Sequence, residues 1–351
     1  MALKTYATHF CGIGGACHGI EQAGLKCVLA IDYLGIAVEY REKNLHHKAL
    51  QMDISDYVPN PAHAADVLWT SPSCQSFSTS ARDQILSKKS VGKKEIRDTL
   101  FLASVEYCKV FKPKFFVLEN VTGLLTHYTD NKPTIRLIRE MFEKYAGYRT
   151  EWNVLSSLEW NLPQKRRRVI IVGSRDGKTG LIPKPPFGPH NKPTCKFGDI
   201  MEHFRSDLAW GGPTYKTALE KVRRTGIDIK VIDENGIIPT ITCGFGGGAT
   251  RKKVAILDKT DTGVSFLRHP SILEGARAQG FPDTWDYPNS STDAWTLIGN
   301  AVPCPMSKAI LEHLIAVDEG KKPPFKTKLP KFVPKELREY GDDRPRELAL
   351  D

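Results

Sequence analysis

Apolar and polar positions follow two periods along the first third of the chain. Residues 6–10 (YATHF), 25–32 (LKCVLAID), 65–71 (ADVLWTS) and 114–121 (KFFVLENV) are short apolar runs. Each is bounded by turn or charged residues and is too short for a buried helix, so each predicts a strand. Between them, 16–24 (ACHGIEQAG), 36–44 (IAVEYREKN) and 99–111 (TLFLASVEYCKVF) carry apolar residues at helical spacing. A further strand is expected near 168–174. The strands are apolar on both faces, which suits a sheet covered by helices on each side. The expected fold class is therefore α/β, with a doubly wound, mostly parallel sheet.

The pattern then changes. Residues 180–195 are rich in Pro and Gly, as in a linker. Residues 196–268 show no long amphipathic stretch and predict a small, loop-rich second domain. Helical periodicity returns at 272–281 (ILEGARAQGF) and 305–317 (PMSKAILEHLIAV). The expected division is a catalytic domain at 1–185, a small inserted domain at 186–284, a return to the catalytic domain at 285–320, and a basic, Pro-rich tail at 321–351.

Composition narrows the classes. Of 351 residues 40% are hydrophobic and 26% charged, which is globular rather than disordered. No apolar run reaches the length that crosses a bilayer, and MALKTYATHF lacks the long apolar segment of a secretory signal. A cytoplasmic protein of a prokaryotic or phage-infected cell, monomeric, with reduced cysteines and no membrane contact, is expected. None of the eight cysteines lies in a CxxC pair. His9, Cys11, Cys17 and His18 invite a metal reading, but glycines interrupt them and their spacing fits no common zinc pattern, so no metal is expected. The net charge of +10 suits a polyanionic partner. Basic residues gather at 88–97, 164–168, 221–224 and 251–253.

Candidate chemistry lies at the ends of the strands. FCGIGGACHGI, between a strand and a helix, has the form of a nucleotide-type turn, in which glycines admit a ligand to the backbone. Asp32 ends the next strand, where a ribose-binding carboxylate belongs. The GxGG spacing of Gly12, Gly14 and Gly15 departs from the dinucleotide fingerprint and favours an adenosine ligand without a pyrophosphate, such as S-adenosylmethionine. A ligand-free strand–helix turn is the alternative. Cys74 follows one strand, Glu119 and Asn120 close another, and Gln164 to Arg168 (QKRRR) lead into a third. Singly, each reads equally well as packing or solvated charge.

Together, FCGIGG, SPSCQSFS, LENV, QKRRR, ARAQGFPD and IGNAVP, in this order, resemble the DNA (cytosine-5) methyltransferases. The resemblance runs from about Phe10 to about Ile310. It implies a Rossmann-like cofactor domain, a small target-recognition domain, double-stranded DNA in the cleft between them, and S-adenosylmethionine as methyl donor with S-adenosylhomocysteine as product. It implies Cys74 as the nucleophile, Glu119 and Arg168 on the target ring and Arg166 in support, with Asn120 and Gln164 structural. Around the methyl donor it places Phe10, Gly12, Gly14, Gly15, Asp32, Tyr33, Asp53, Ile54, Pro72, Leu100, Asn300 and Val302. Three positions depart from the family's usual pattern. Ser73 stands for a second proline, Thr8 for an acid, and Ala301 for a serine. A tRNA methyltransferase on the same plan, or a non-catalytic DNA-binding relative, are the competing expectations.

Overall fold

The computed structural model describes residues 2–72, 100–129, 132–185, 195–202, 205–209, 229–245 and 254–321, with single positions 216, 220 and 224. Among them the main sheet contains β1 (Thr5–His9), β2 (Lys26–Asp32), β3 (Leu50–Gln51), β4 (Val67–Thr70) and β5 (Phe115–Val121). After a small hairpin, β6 (Tyr128–Thr129) and β7 (Lys132–Pro133), it adds β8 (Arg149–Ser156). Past the two-residue β9 (Gln164–Lys165) it is completed by β10 (Arg167–Ser174). The order is β3-β2-β1-β4-β5-β10-β8. The first five strands are parallel, and β10 runs antiparallel to both β5 and β8. The link from Ser156 to Arg167 is too short to hold a crossover helix, so β8 and β10 must be antiparallel.

Alternation along the strands feeds two separate cores. Phe115 and Val117 face one layer with Tyr6, Trp69 and Ile170, while Phe116 and Leu118 face the other with Ala7, Leu68 and Ile171. The first layer is covered by α1 (Gly15–Gln22), and the second by α3 (Phe101–Phe111) and α4 (Thr134–Ala146). Between α1 and α3 in sequence lies α2 (Gly35–Leu45), and α5 (Ile272–Ala278), α6 (Ser291–Asn300) and α7 (Cys304–Asp318) come later. Helix α7 packs along α1 so closely that a Cβ on Gly19 would stand 2.2 Å from the Cys304 carbonyl oxygen. The sequence reading singled out neither α4 nor β8. Helix α4 buries Ile135, Ile138 and Phe142 on one face, and Phe142 stacks on Phe116 at 3.8 Å.

The irregular stretch expected at 196–268 contains a sheet of β11 (Lys230–Ile232), β13 (Val254–Lys259) and β14 (Ser265–Arg268). Its strands are too short to show alternation in sequence. Arg268, fully buried, bonds Asp258 at 2.6 Å and Glu274 at 2.5 Å, tying β13 and β14 to α5. The short β12 (Ile238–Pro239) pairs with β9 beside the main sheet. A third apolar cluster joins Phe197, Ile232, Ile241 and Ile256 to Ile13 and Ala37 from the turn and α2.

Candidate active site

The glycine turn is braced from below. Asp32 accepts the Gly12 N–H on one oxygen at 2.7 Å and the Leu34 N–H on the other at 3.0 Å. Burial pushes its carboxyl upward, while the N–H groups of Leu34, Gly12 and Tyr33 hold it back. With three N–H groups bonded, the carboxylate keeps one lone pair for a ligand hydroxyl. Phe10 adopts φ +60°, a left-handed conformation that non-glycine residues hold only under local constraint. Gly12 has φ +54°, and a Cβ there would meet nothing within 4 Å, so this side of the turn is open. Gly15 answers to packing, since its Cβ would lie 2.5 Å from the Val302 carbonyl oxygen.

The other expected cofactor positions surround this turn in part. Tyr33, just past β2, is 73% exposed. Asp53 is exposed and caps a single turn at Ile54, accepting the Ser55 N–H at 2.9 Å. Ile54 and Val302 are buried, and Leu100 is the N-cap of α3. Asn300, the last residue of α6, is exposed. Thr8, which stands where the resemblance leads one to expect an acid, is fully buried, and its hydroxyl has no hydrogen-bond partner among the described residues. An open glycine face, an exposed aromatic ring and a half-buried carboxylate on one sheet edge fit an adenosyl ligand.

Glu119 and Arg168 meet at the end of β5. Glu119 is opposite Ile170, so Arg168 is its diagonal neighbour on the same face. Arg168 Nε is 2.8 Å from Glu119 Oε1, and both side chains are about nine-tenths buried. Asn120 points to the opposite face, where its amide donates to the Pro72 carbonyl at 3.2 Å. That bond fixes the stem after β4 against β5. Cys74, Ser73 and the basic stretch 88–97 lie outside the described residues, as do 246–253 and the tail beyond 321.

Arg166 is placed differently from Arg168. Its guanidinium donates to the carbonyls of Ile241 (2.7 Å), Gly299 (3.0 Å) and Ala301 (2.7 Å). Gln164 donates to Ala278 O at 2.9 Å and accepts from Ile241 N at 3.0 Å. Gln279, which sequence reasoning gave no task, receives a bond from Gln164 and donates to Ile298 O. These three side chains join the β9 edge, the Ile241 segment and the loop after α6 into one buried polar hub. The signal for Gln279 was its place in ARAQGFPD, one of the segments that carry the family resemblance. Of the four metal-suggestive residues, His9 bonds Ser104 and His18 lies near Gln22 and against Trp285. Cys11 and Cys17 are buried.

A doubly wound, mostly parallel sheet with an open glycine turn after β1 and an acid–arginine pair at the end of β5 defines a Rossmann-like methyltransferase fold. The family of C-5 cytosine-specific DNA methylases matches residues 7–316, and the chain belongs to it. It is 31% identical over 324 residues to the type II methyltransferase M.HaeII of Haemophilus aegyptius, covering 89% of this chain and 94% of that one. It is 29% identical over 321 residues to M.DsaV of Dactylococcopsis salina, covering 88% and 84%. In structure it is similar to S. pombe Dnmt2 methyltransferase, with a TM-score of 0.68, 18% identity and coverage of 90% and 99%. The Entamoeba histolytica methyltransferase EhMeth gives 0.69, 15% identity and coverage of 92% and 100%. These two likenesses concern the fold alone.

Proposed function

We propose that this chain is a DNA (cytosine-5-)-methyltransferase of the type II kind, acting on a flipped-out cytosine through a covalent adduct between Cys74 and C6. The observation that carries the reading is the buried Glu119–Arg168 pair at 2.8 Å, next to the Pro72 stem that Asn120 holds. S-adenosylmethionine, when bound, supplies an electrophilic methyl group. Phe10, Gly12, Asp32, Tyr33, Asp53 and Ile54 would hold its adenosyl part, and Leu100, Pro72, Asn300 and Val302 would complete the site.

Cytosine C5 is too weak a nucleophile to take a methyl group while the ring is aromatic. Attack of the Cys74 thiolate on C6 removes that aromaticity and makes C5 enamine-like. Negative charge then collects on the ring. Glu119, taking up a proton as the base binds, donates it to N3 and accepts from the exocyclic amine, and Arg168, at O2, adds a positive charge, so the negative charge is met where it develops. The existing ion pair holds both side chains in place before the base arrives, so little reorganisation is needed. After methylation a base takes the C5 proton, the electron pair of that bond re-forms the C5–C6 double bond, and the C6–S bond breaks to release the Cys74 thiolate. A stacked base cannot reach these groups, so it must leave the duplex at a cost of a few kcal/mol. The division at 1–185, 186–284 and 285–320 is retained as the working boundary between catalysis and target recognition.

Tritiated methyl transfer to duplex DNA and to tRNA, with Cys74→Ala alongside, tests this. Transfer to DNA that is lost in Cys74→Ala, with stable trapping on 5-fluorocytosine DNA, is the expected result. Transfer to tRNA alone, or retention in Cys74→Ala, refutes the reading.

A further inference from the structure

Three polar side chains meet in the apolar layer between the sheet and α3. His9 Nδ1 is 3.0 Å from Ser104 Oγ, which is 2.8 Å from Thr70 Oγ1. All three residues are fully buried. Their surroundings in that layer include Ala7, Leu68, Phe101 and Val105. The His9 ring meets Tyr107 edge-on at 5.2 Å. Burial pushes the imidazole down to about 3, so it is neutral at any working pH. Its Nε2 has no hydrogen-bond partner among the described residues. An orphan buried N–H is rarer than an orphan acceptor, which assigns the proton to Nδ1. The relay then runs from His9 Nδ1–H to Ser104 Oγ, and from the Ser104 hydroxyl to Thr70 Oγ1.

Apolar side chains would fill this space without leaving a lone pair unsatisfied. What the relay joins gives it a purpose. Thr70 ends β4, two residues before Pro72, and Ser104 lies four residues after Leu100 in α3. Pro72 and Leu100 belong to the proposed cofactor site, and residues 73–99 separate them in sequence, so the chain itself provides no short tie between them. The hydroxyl pair provides one, and the Ser71 N–H to His9 carbonyl bond at 3.3 Å adds β1 to it.

We propose that His9, Ser104 and Thr70 are positioning residues for the methyl donor, fixing the spacing of Pro72 and Leu100. The proposal rests on the cofactor reading above. The test is calorimetric binding of S-adenosylhomocysteine to the full chain, with melting temperatures recorded in parallel. Thr70→Val and Ser104→Ala are each expected to weaken binding about fivefold, the worth of one neutral hydrogen bond. The double variant is expected to be no weaker than either single one, and Thr70→Ser to restore wild-type affinity. A role confined to stability would lower melting temperatures and leave affinity unchanged, which overturns the proposal. So would multiplicative losses in the double variant, or failure of Thr70→Ser to restore binding. A wild-type chain that binds no S-adenosylhomocysteine instead defeats the cofactor reading itself, and the proposal with it.

Discussion

Replacing Arg166 with methionine removes four hydrogen bonds while keeping most of the buried volume. The guanidinium makes two bonds to Gly299 O and one each to Ile241 O and Ala301 O, at 2.7 to 3.0 Å. The residue is 1% exposed, so water cannot replace them in the folded chain. Bonds from a charged donor are worth about 1.5 kcal/mol or more each, so loss at three carbonyls costs about 4–5 kcal/mol. For a chain of this size that lowers the melting temperature by roughly 6 °C. Arg168→Lys is the contrasting variant. Lysine keeps the charge beside Glu119 but loses the planar fork that a ring oxygen needs. It is expected to melt near the wild type and to lose methyl transfer about 100-fold. Scanning calorimetry gives the first quantity. Single-turnover transfer, measured well below both melting points, gives the second. If Arg166→Met melts like the wild type yet transfers no methyl group, the assignment of Arg166 to the hub is wrong.

Three further outcomes follow from the packing and burial. Gly15→Ala drives a Cβ to 2.5 Å from a backbone oxygen that cannot retreat, and should cost about 1–3 kcal/mol in urea denaturation; a neutral effect would mean the turn and the Val302 loop move freely. Arg268→Met strands the buried carboxylates of Asp258 and Glu274 and should cost about 3–5 kcal/mol, so an unchanged urea midpoint would rule out the ion cluster as the clamp on this sheet. Burial pushes the Glu159 carboxyl up to about 7 from 4.5, against the Ser156 N–H and Arg167 that favour its charge. The folded chain therefore holds a proton that the unfolded chain sheds, and the stability this gives is full below pH 4.5 and lost as pH rises through 7. Glu159→Gln keeps an acceptor for Ser156 N and should remove on the order of 2–3 kcal/mol of that decline, read from urea midpoints at several pH values; a variant with the wild-type slope would refute it.

The strands of the first half were legible because each is buried on both faces and bounded by turn residues. Phe115 to Val121 is the clearest case, with side chains alternating between two cores. Helix α4 was equally periodic but sits among charged residues that masked its narrow apolar face. The small sheet was less legible because β11 has only three residues and is separated from β13 by more than twenty positions, and because the ion cluster of Arg268 with Asp258 and Glu274 forms only once the chain is folded. At the site, the Glu119–Arg168 pair could be anticipated from strand ends. The different roles of Arg168 and Arg166 were implied by the resemblance, but the carbonyls that hold Arg166 could not be read, since they lie more than seventy positions away. The same holds for the His9–Ser104–Thr70 relay, whose members look in sequence like unrelated core substitutions.

The hub of Gln164, Arg166 and Gln279 also sets where this chain can exchange parts with its relatives. A graft cut at the Pro-rich linker alone would leave Ile241, Ala278 and Ala301 facing partners from a foreign backbone. A transplantable segment must therefore leave residues 238–245 and 268–302 with the host and keep Asp258 as the partner of Arg268, because Arg268 bonds Glu274 and Phe245 packs against Trp295 across any closer cut. Sequence change can accumulate inside such a window by recombination, while the seam around it changes only by coordinated substitution.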